Sequence, residues 1–245
     1  MRHFTRNPVC GTNTPQDVVR SDGIDHSILW FLTDSNGGRL SETVDHARRG
    51  LYLAGTKQLA YFDAVLGVCA AWAGRRTTAI SHFAEAEHGA ELCGWDEPTF
   101  RWWRGEYAEA LLQDGRIGDA ERLIADRESA ATRLGRVRIL AETRRCRGLV
   151  AAARGDLTAA TLHLQEAVDL HQAAGDPFGR ARALLAHGIV LLRVRQKRAA
   201  RVAFEASLAA FETVEAVGWA KVARFELGRI SGRTRIEGLS PLSSG

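Results

Sequence analysis

Two interleaved series of glycines constrain this chain more than any other feature. Gly74, Gly115 and Gly155 follow one another at steps of 41 and 40 residues, and the next step falls on Arg195. A second series, Gly55, Gly94, Gly135, Gly175 and Gly218, runs about twenty residues out of phase, with steps of 39, 41, 40 and 43. Glycine tolerates the left-handed backbone that ends a helix, so two such series with one period mark a two-helix unit repeated in tandem. Ala, Leu, Arg and Glu, which lose little rotamer freedom in a helix, predominate over strand formers. The expectation is an all-α chain.

The stretch "AARGDLTAATLHLQEAV" (152–168) shows how one unit is built. Its Arg154-Gly155-Asp156 tripeptide would suggest an adhesion ligand in an extracellular loop, but a three-residue match arises often by chance. Read as structure, Gly155 ends one helix and Asp156 accepts hydrogen bonds from the orphan amides of the next. The helix that follows puts Leu157, Ala160, Leu164, Ala167, Val168 and His171 on one face. Gly175-Asp176-Pro177 then closes it and opens another, with proline at a favoured first helical position.

A finer pattern identifies the repeat class. Gly67, Gly74, Ala79 and Ala86 share their spacing with Gly148, Gly155, Ala160 and Ala167. The other two units are degenerate: Ala108, Gly115, Ala120 and Arg127, then Gly188, Arg195, Ala200 and Ser207. A large apolar residue stands four after the first alanine in all four units, as Phe83, Ile124, Leu164 and Phe204. These are tetratricopeptide-like offsets, at which small side chains let paired helices cross closely; HEAT and armadillo repeats share the period of about 40 but not the pattern. The predicted fold is a right-handed α-solenoid of about five helix pairs over residues 24–230, with flexible segments at 1–23 and 231–245.

With 45% hydrophobic and 25% charged residues the chain can bury a core as a soluble protein. Its apolar runs are broken before the roughly 18 residues a membrane span needs, and "MRHFTRNPVCGTNTPQD" has no signal-peptide core, so a cytoplasmic location is expected. The four cysteines, Cys10, Cys69, Cys93 and Cys146, form no C-x-x-C pair. Cys69 and Cys146 lie in apolar helical segments, where a thiol behaves as a small hydrophobe. Residues 1–130 hold 14 Lys and Arg against 19 Asp and Glu, and residues 131–245 hold 19 against 10. The dense basic stretch, Arg193, Arg195, Lys197, Arg198 and Arg201, suits a solvated face, since charge alone supports only non-specific nucleic-acid association.

The stretches "RWWRGEYAEALLQDGRIGDAERLI" (101–124) and "RCRGLVAAARGDLTAATLHLQEAVDLHQAAGDPFGRARALLAHGIVLLRVRQKRAARVAFEASLAAFE" (145–212) resemble the helical repeat segment of bacterial LuxR-type transcriptional regulators of the large signal-transduction ATPase class, related to the maltotriose-responsive activator. The resemblance covers about residues 40–242 and rests on the order of motifs. It implies a sensor segment lying between an ATPase module and a helix-turn-helix. The sequence holds no G-x-x-x-x-G-K-[ST] phosphate loop, and Leu239-Ser240-Pro241 resembles only the first residues of the family's DNA-binding domain. The expectation is thus a sensor segment without ATPase or helix-turn-helix, whether a truncated regulator or a stand-alone chain.

Catalytic patterns are poor. His82, Glu85 and His88, like His163 and Glu166, lack the second set of ligands that a bundle metal site needs, and no nucleophile elbow or H-E-x-x-H occurs. Neither enzyme activity nor a cofactor or metal is expected. In tetratricopeptide repeats the first helix of each pair lines a concave groove. Offsets from the first small residue select Tyr61, Trp72, Trp102, Glu109, Gln113, Glu142, Arg145, Arg182 and Arg193 as groove candidates. Arg145 and Arg182 are expected to converge there, flanked by Trp102. The mixture suits a small effector or a peptide with an apolar part and an acidic part, although Trp72 and Trp102 would also serve as packing between repeats. Self-association stays open; no membrane contact and no sequence-specific DNA binding are expected. A free-standing adaptor that binds a peptide or protein, unrelated to transcription, is the alternative.

Overall fold

The computed structural model describes residues 56–230 together with Val44. Among the described residues every regular element is a helix: α1 (Thr56–Trp72), α2 (Arg76–Leu92), α3 (Arg104–Gln113), α4 (Ile117–Arg133), α5 (Val137–Ala153), α6 (Leu157–Ala173), α7 (Pro177–Arg193), α8 (Lys197–Thr213) and α9 (Val217–Ile230). Seven of them, α1, α2 and α4 to α8, are 17 residues long and most are joined by three-residue corners. Helix and corner together make a 20-residue step, half the period in the sequence. The expected terminal segments, 1–23 and 231–245, lie outside the described residues, as does Gly55.

Each corner turns through one residue with positive φ. Six are glycines of the two series, Gly74, Gly94, Gly115, Gly135, Gly155 and Gly175, and two are Arg195 (φ 62°) and Glu215 (φ 56°). At Gly155 (φ 85°) the amide bonds back to Ala152 O at 3.2 Å, and that of Asp156 to Ala151 O at 2.9 Å. This is a Schellman closure, which satisfies the carbonyls that a helix end leaves orphaned. Asp156 then accepts from the Ala159 amide at 2.9 Å, and Asp176 does the same for Gly179. The Arg-Gly-Asp tripeptide is therefore a C-cap followed by an N-cap.

One corner falls elsewhere than the glycine series predicts. Gly218 lies inside α9 and is buried; the left-handed residue is Glu215. The amides of Glu215 and Ala216 make the same pair of closing bonds, to Glu212 O at 3.1 Å and Phe211 O at 2.8 Å. The register of the repeat overrides the residue preference, and an L-residue accepts the strain because the helices on both sides fix the corner.

The first helix of each unit crosses the second where a small residue meets a large one. A Cβ added at Gly67 would stand 2.7 Å from the Phe83 ring, one at Gly148 2.5 Å from Leu164 Cγ, and one at Gly188 2.5 Å from the Phe204 ring. In the second unit Ala108 and Ile124 hold the corresponding places, and both are buried. Absence of a side chain lets the backbones approach, which is the physical content of the tetratricopeptide-like spacing. Consecutive helices pack on each other throughout, and α1 with α3, α3 with α5, and α5 with α7 also touch. The first helices thus form one inner wall, as an α-solenoid of helix pairs requires.

The α2–α3 connection departs from this regularity. Eleven residues, 93–103, replace the three-residue corner, and α3 has only 10 residues. Trp103 is fully buried there, and its indole N–H donates to Glu87 Oε1 at 2.8 Å. The same carboxylate accepts from Arg101 at 3.1 Å and from Arg104 at 2.6 Å. Cys69 and Cys146 are buried as free thiols, and burial pushes both up to about 12, so they pack as apolar groups.

Candidate functional site

The inner wall carries its side chains in rows three and four residues apart, the spacing that stacks them along one helix face. On α3 these are Glu106, Glu109 and Gln113; on α5, Glu142, Arg145 and Leu149; on α7, Arg182, Leu185, Ile189 and Arg193. Trp219 and Val222 of α9 and Val68, Ala71 and Trp72 of α1 complete the ring. The first and last described helices meet: the indoles of Trp72 and Trp219 lie edge to face with centroids 4.9 Å apart.

A chain of alternating charges crosses the wall. Arg127 Nη2 donates to Glu142 Oε2 at 2.6 Å, and Glu142 Oε1 lies 3.9 Å from Arg145. Arg145 Nη1 donates to Glu109 Oε1 at 2.6 Å, which also accepts from Arg182 Nη2 at 2.5 Å. Arg182 completes a two-pronged bond with Glu106, one prong 2.9 Å long. The fork geometry of guanidinium on carboxylate suits such buried pairing. Desolvation raises the Glu106 carboxyl above its usual range, outweighing the Arg182 charge. Burial would raise Glu109 too, but Arg145 and Arg182 together hold it below.

Arg145 and Arg182 do converge on the inner face, as their offsets predicted. Their side chains are only 3% and 7% exposed, however, and Arg145 Nη1 and both Arg182 Nη groups already face carboxylates of this chain. They build the floor of a site and are not its free anchors. Trp102 does not flank them: it packs against Tyr61 (6.2 Å) and Trp103 (6.0 Å). The aromatics over Arg182 are Trp219, whose ring centroid lies 4.9 Å from the guanidinium carbon, and Phe178 at 6.0 Å, both cation–π contacts.

Above this floor opens a cavity of about 460 Å³, within the range of small-ligand pockets. Its apolar wall comes chiefly from Leu149, Leu185, Ile189, Val190 and Trp219. Of the groove candidates, Glu109, Gln113, Arg145, Arg182 and Arg193 line it. Trp72 joins Glu109 and Gln113 at a neighbouring hollow of about 80 Å³. Tyr61, Trp102 and Glu142 line neither. Sequence offsets missed Trp219, because the closing of α9 onto α1 depends on the summed twist of every unit between them. They also missed Arg76, which reaches the rim from the start of α2.

The residues weighed as metal ligands lie apart from this cavity. His82 Nδ1 is 2.9 Å from Asp63 Oδ1, and His163 lies 3.6 Å from Glu166. Among the described residues no group of three or more His, Cys, Asp or Glu is placed to hold a metal ion. No described helix is long and apolar enough to cross a membrane.

No protein-family model matches the chain, and no curated protein matches it by sequence. Among solved structures it is similar to the crystal structure of BtubC (BKLC) from P. vanneervenii, with a TM-score of 0.51 and 17% identity over 85% of this chain and 94% of that one. At that identity the likeness extends to the helical fold alone.

Proposed function

We propose that this chain is the non-catalytic sensor domain of a LuxR-type transcriptional regulator, working in the bacterial cytoplasm and taking a small effector into the cavity between α3, α5 and α7. The observation that carries the reading is that cavity: about 460 Å³, walled by aliphatic and aromatic side chains, on a floor of fixed ion pairs. A preorganised floor lowers the cost of ordering that binding would otherwise incur. The order of sequence motifs from residue 101 onward supports the regulatory assignment. In this reading the chain has neither catalytic activity nor sequence-specific DNA binding of its own, and an effector acts by shifting how the repeats sit against a partner module.

Thermal-shift screening of metabolites and peptides, followed by calorimetry, tests the binding half. One small molecule bound per chain is the expected result; binding by extended peptides alone would favour the free-standing adaptor. Deleting the gene and profiling transcripts with and without that molecule tests the regulatory half. An unchanged profile would sink it.

A further inference from the structure

The cavity is lined by four arginines, Arg76, Arg145, Arg182 and Arg193, against one carboxylate, Glu109. Two of the four are neutralised in place, Arg145 by Glu109 and Arg182 by Glu106 together with Glu109. The other two differ in every respect. Arg76 and Arg193 are exposed, and among the described residues no carboxylate pairs with either. Their bonds go to main-chain carbonyls: Arg193 Nη1 donates to Ala152 O at 2.9 Å, and Arg76 Nη1 sits 3.5 Å from Gln113 O. Those carbonyls belong to the C-terminal ends of α5 and α3, and both arginines line the same cavity there. Each keeps further N–H donors in its fork.

Capping a helix C-terminus is itself a reason to place arginine there. The ends of α3, α5 and α7 each carry about half a negative charge, partly met by their own closing bonds, and in sum less than two full guanidinium charges. The rim stays positive. Immediately below it the wall turns apolar, with Leu149, Leu185, Ile189 and Trp219.

From this polarity, and resting on the reading of the groove as an effector site, we infer that the ligand is an amphipathic organic anion. Its aromatic or branched aliphatic body lies against Leu185, Ile189 and Trp219. Its single carboxylate, sulfonate or phosphate head is gripped between Arg76 and Arg193 at the rim. The buried pairs beneath supply no counter-charge for a second head, so a neutral sugar or a cation does not fit this division.

The matched probes 1-anilinonaphthalene-8-sulfonate and its uncharged parent N-phenyl-1-naphthylamine separate head from body. Fluorescence titration of the whole chain at fixed salt should give one sulfonate site, bound roughly tenfold or more tighter than the parent, as hydrogen bonds between charged groups require. The exposed pair Arg76→Gln/Arg193→Gln should weaken the sulfonate by a similar factor and leave the parent unchanged. Equal binding of both probes to the parent protein, or a Gln pair that binds the sulfonate as before, overturns the inference. Ile189→Trp fills the cavity, and Ala153→Trp, at an exposed rim position, does so without touching the core. If either folded variant still binds both probes, the cavity is not the site, and the effector reading falls too. If filling abolishes binding while the Gln pair does not matter, the groove stands and the anionic head is wrong.

Discussion

Between α5 and α6 the chain reverses in three residues; between α2 and α3 it takes eleven. The short corner is closed by backbone bonds around Gly155 and one aspartate cap, and the helices it joins fit because Gly148 gives Leu164 room. The long one has lost the first turns of a helix. In their place stand the aromatics Trp95, Phe100 and Trp103, tied by Glu87, Arg101 and Arg104. A regular repeat is thus held by what its side chains leave out, and an irregular one by what its side chains add. Damage should differ in kind between them.

The largest effect is expected in the irregular region. Trp103→Ala removes a fully buried indole and one hydrogen bond to Glu87, and should cost about 3 to 5 kcal/mol in urea melts. A loss under about 1 kcal/mol would mean that the linker is an ornament on the fold. Next comes Gly148→Val, which drives a branched side chain into Leu164 and the Ala160 carbonyl; overpacking of this kind costs about 1 to 3 kcal/mol. At the corner itself, Gly155→Val should destabilise more than Asp156→Ala. The first puts a β-branched residue at positive φ, whereas the second removes a cap of about 1 kcal/mol. Equal losses would show that backbone conformation does not govern the corner. Glu215→Gly should run the other way and stabilise by up to about 1 kcal/mol, because the left-handed strain is relieved.

The smallest effect is electrostatic. Glu97, in the long linker, bonds Arg136 ahead of α5 at 2.9 and 3.0 Å, and chiefly for that reason its carboxyl falls from 4.5 to about 2. A carboxyl depressed by folding adds stability above its unfolded value, and that stability is lost as pH falls through the folded one. The difference between the parent and Glu97→Gln should therefore be flat above about pH 5 and shrink toward pH 2. The pair is exposed, so the amplitude is small. A difference that grows on acidification would put the pairing elsewhere.

Most of the fold was legible because its rhythm is written in residues with few other uses. Six corner glycines, and even Arg195 in their register, stand where the period puts them. Gly218 stands three residues out of that register: twenty residues after Arg195 is Glu215, and the corner follows the count over the residue type. The site was legible only by halves. Offsets within a unit bring Glu109, Arg145, Arg182 and Arg193 to one face, since that depends on helix geometry alone. That Glu106 would consume the Arg182 fork, 76 residues away, or that Trp219 would replace Trp102 above it, depends on the accumulated turn of the solenoid. No local spacing carries that information.

The contact between Trp72 and Trp219 has a consequence for how the molecule comes apart. In an open array each repeat feels only its neighbours, so ends fray first and unfolding spreads inward one unit at a time. Here an edge-to-face indole pair ties helices separated by most of the described chain, and the Arg182 fork adds a second tie across α3 and α7. Fraying of α9 would break both the indole pair and the ring cover over Arg182, so the last helix is energetically part of the first. Melting should be a single transition, with amide exchange in α1 and α9 slowed to the same global opening. Folding in turn should be slower than local helix pairs alone would allow, since these ties form only after a long loop has closed.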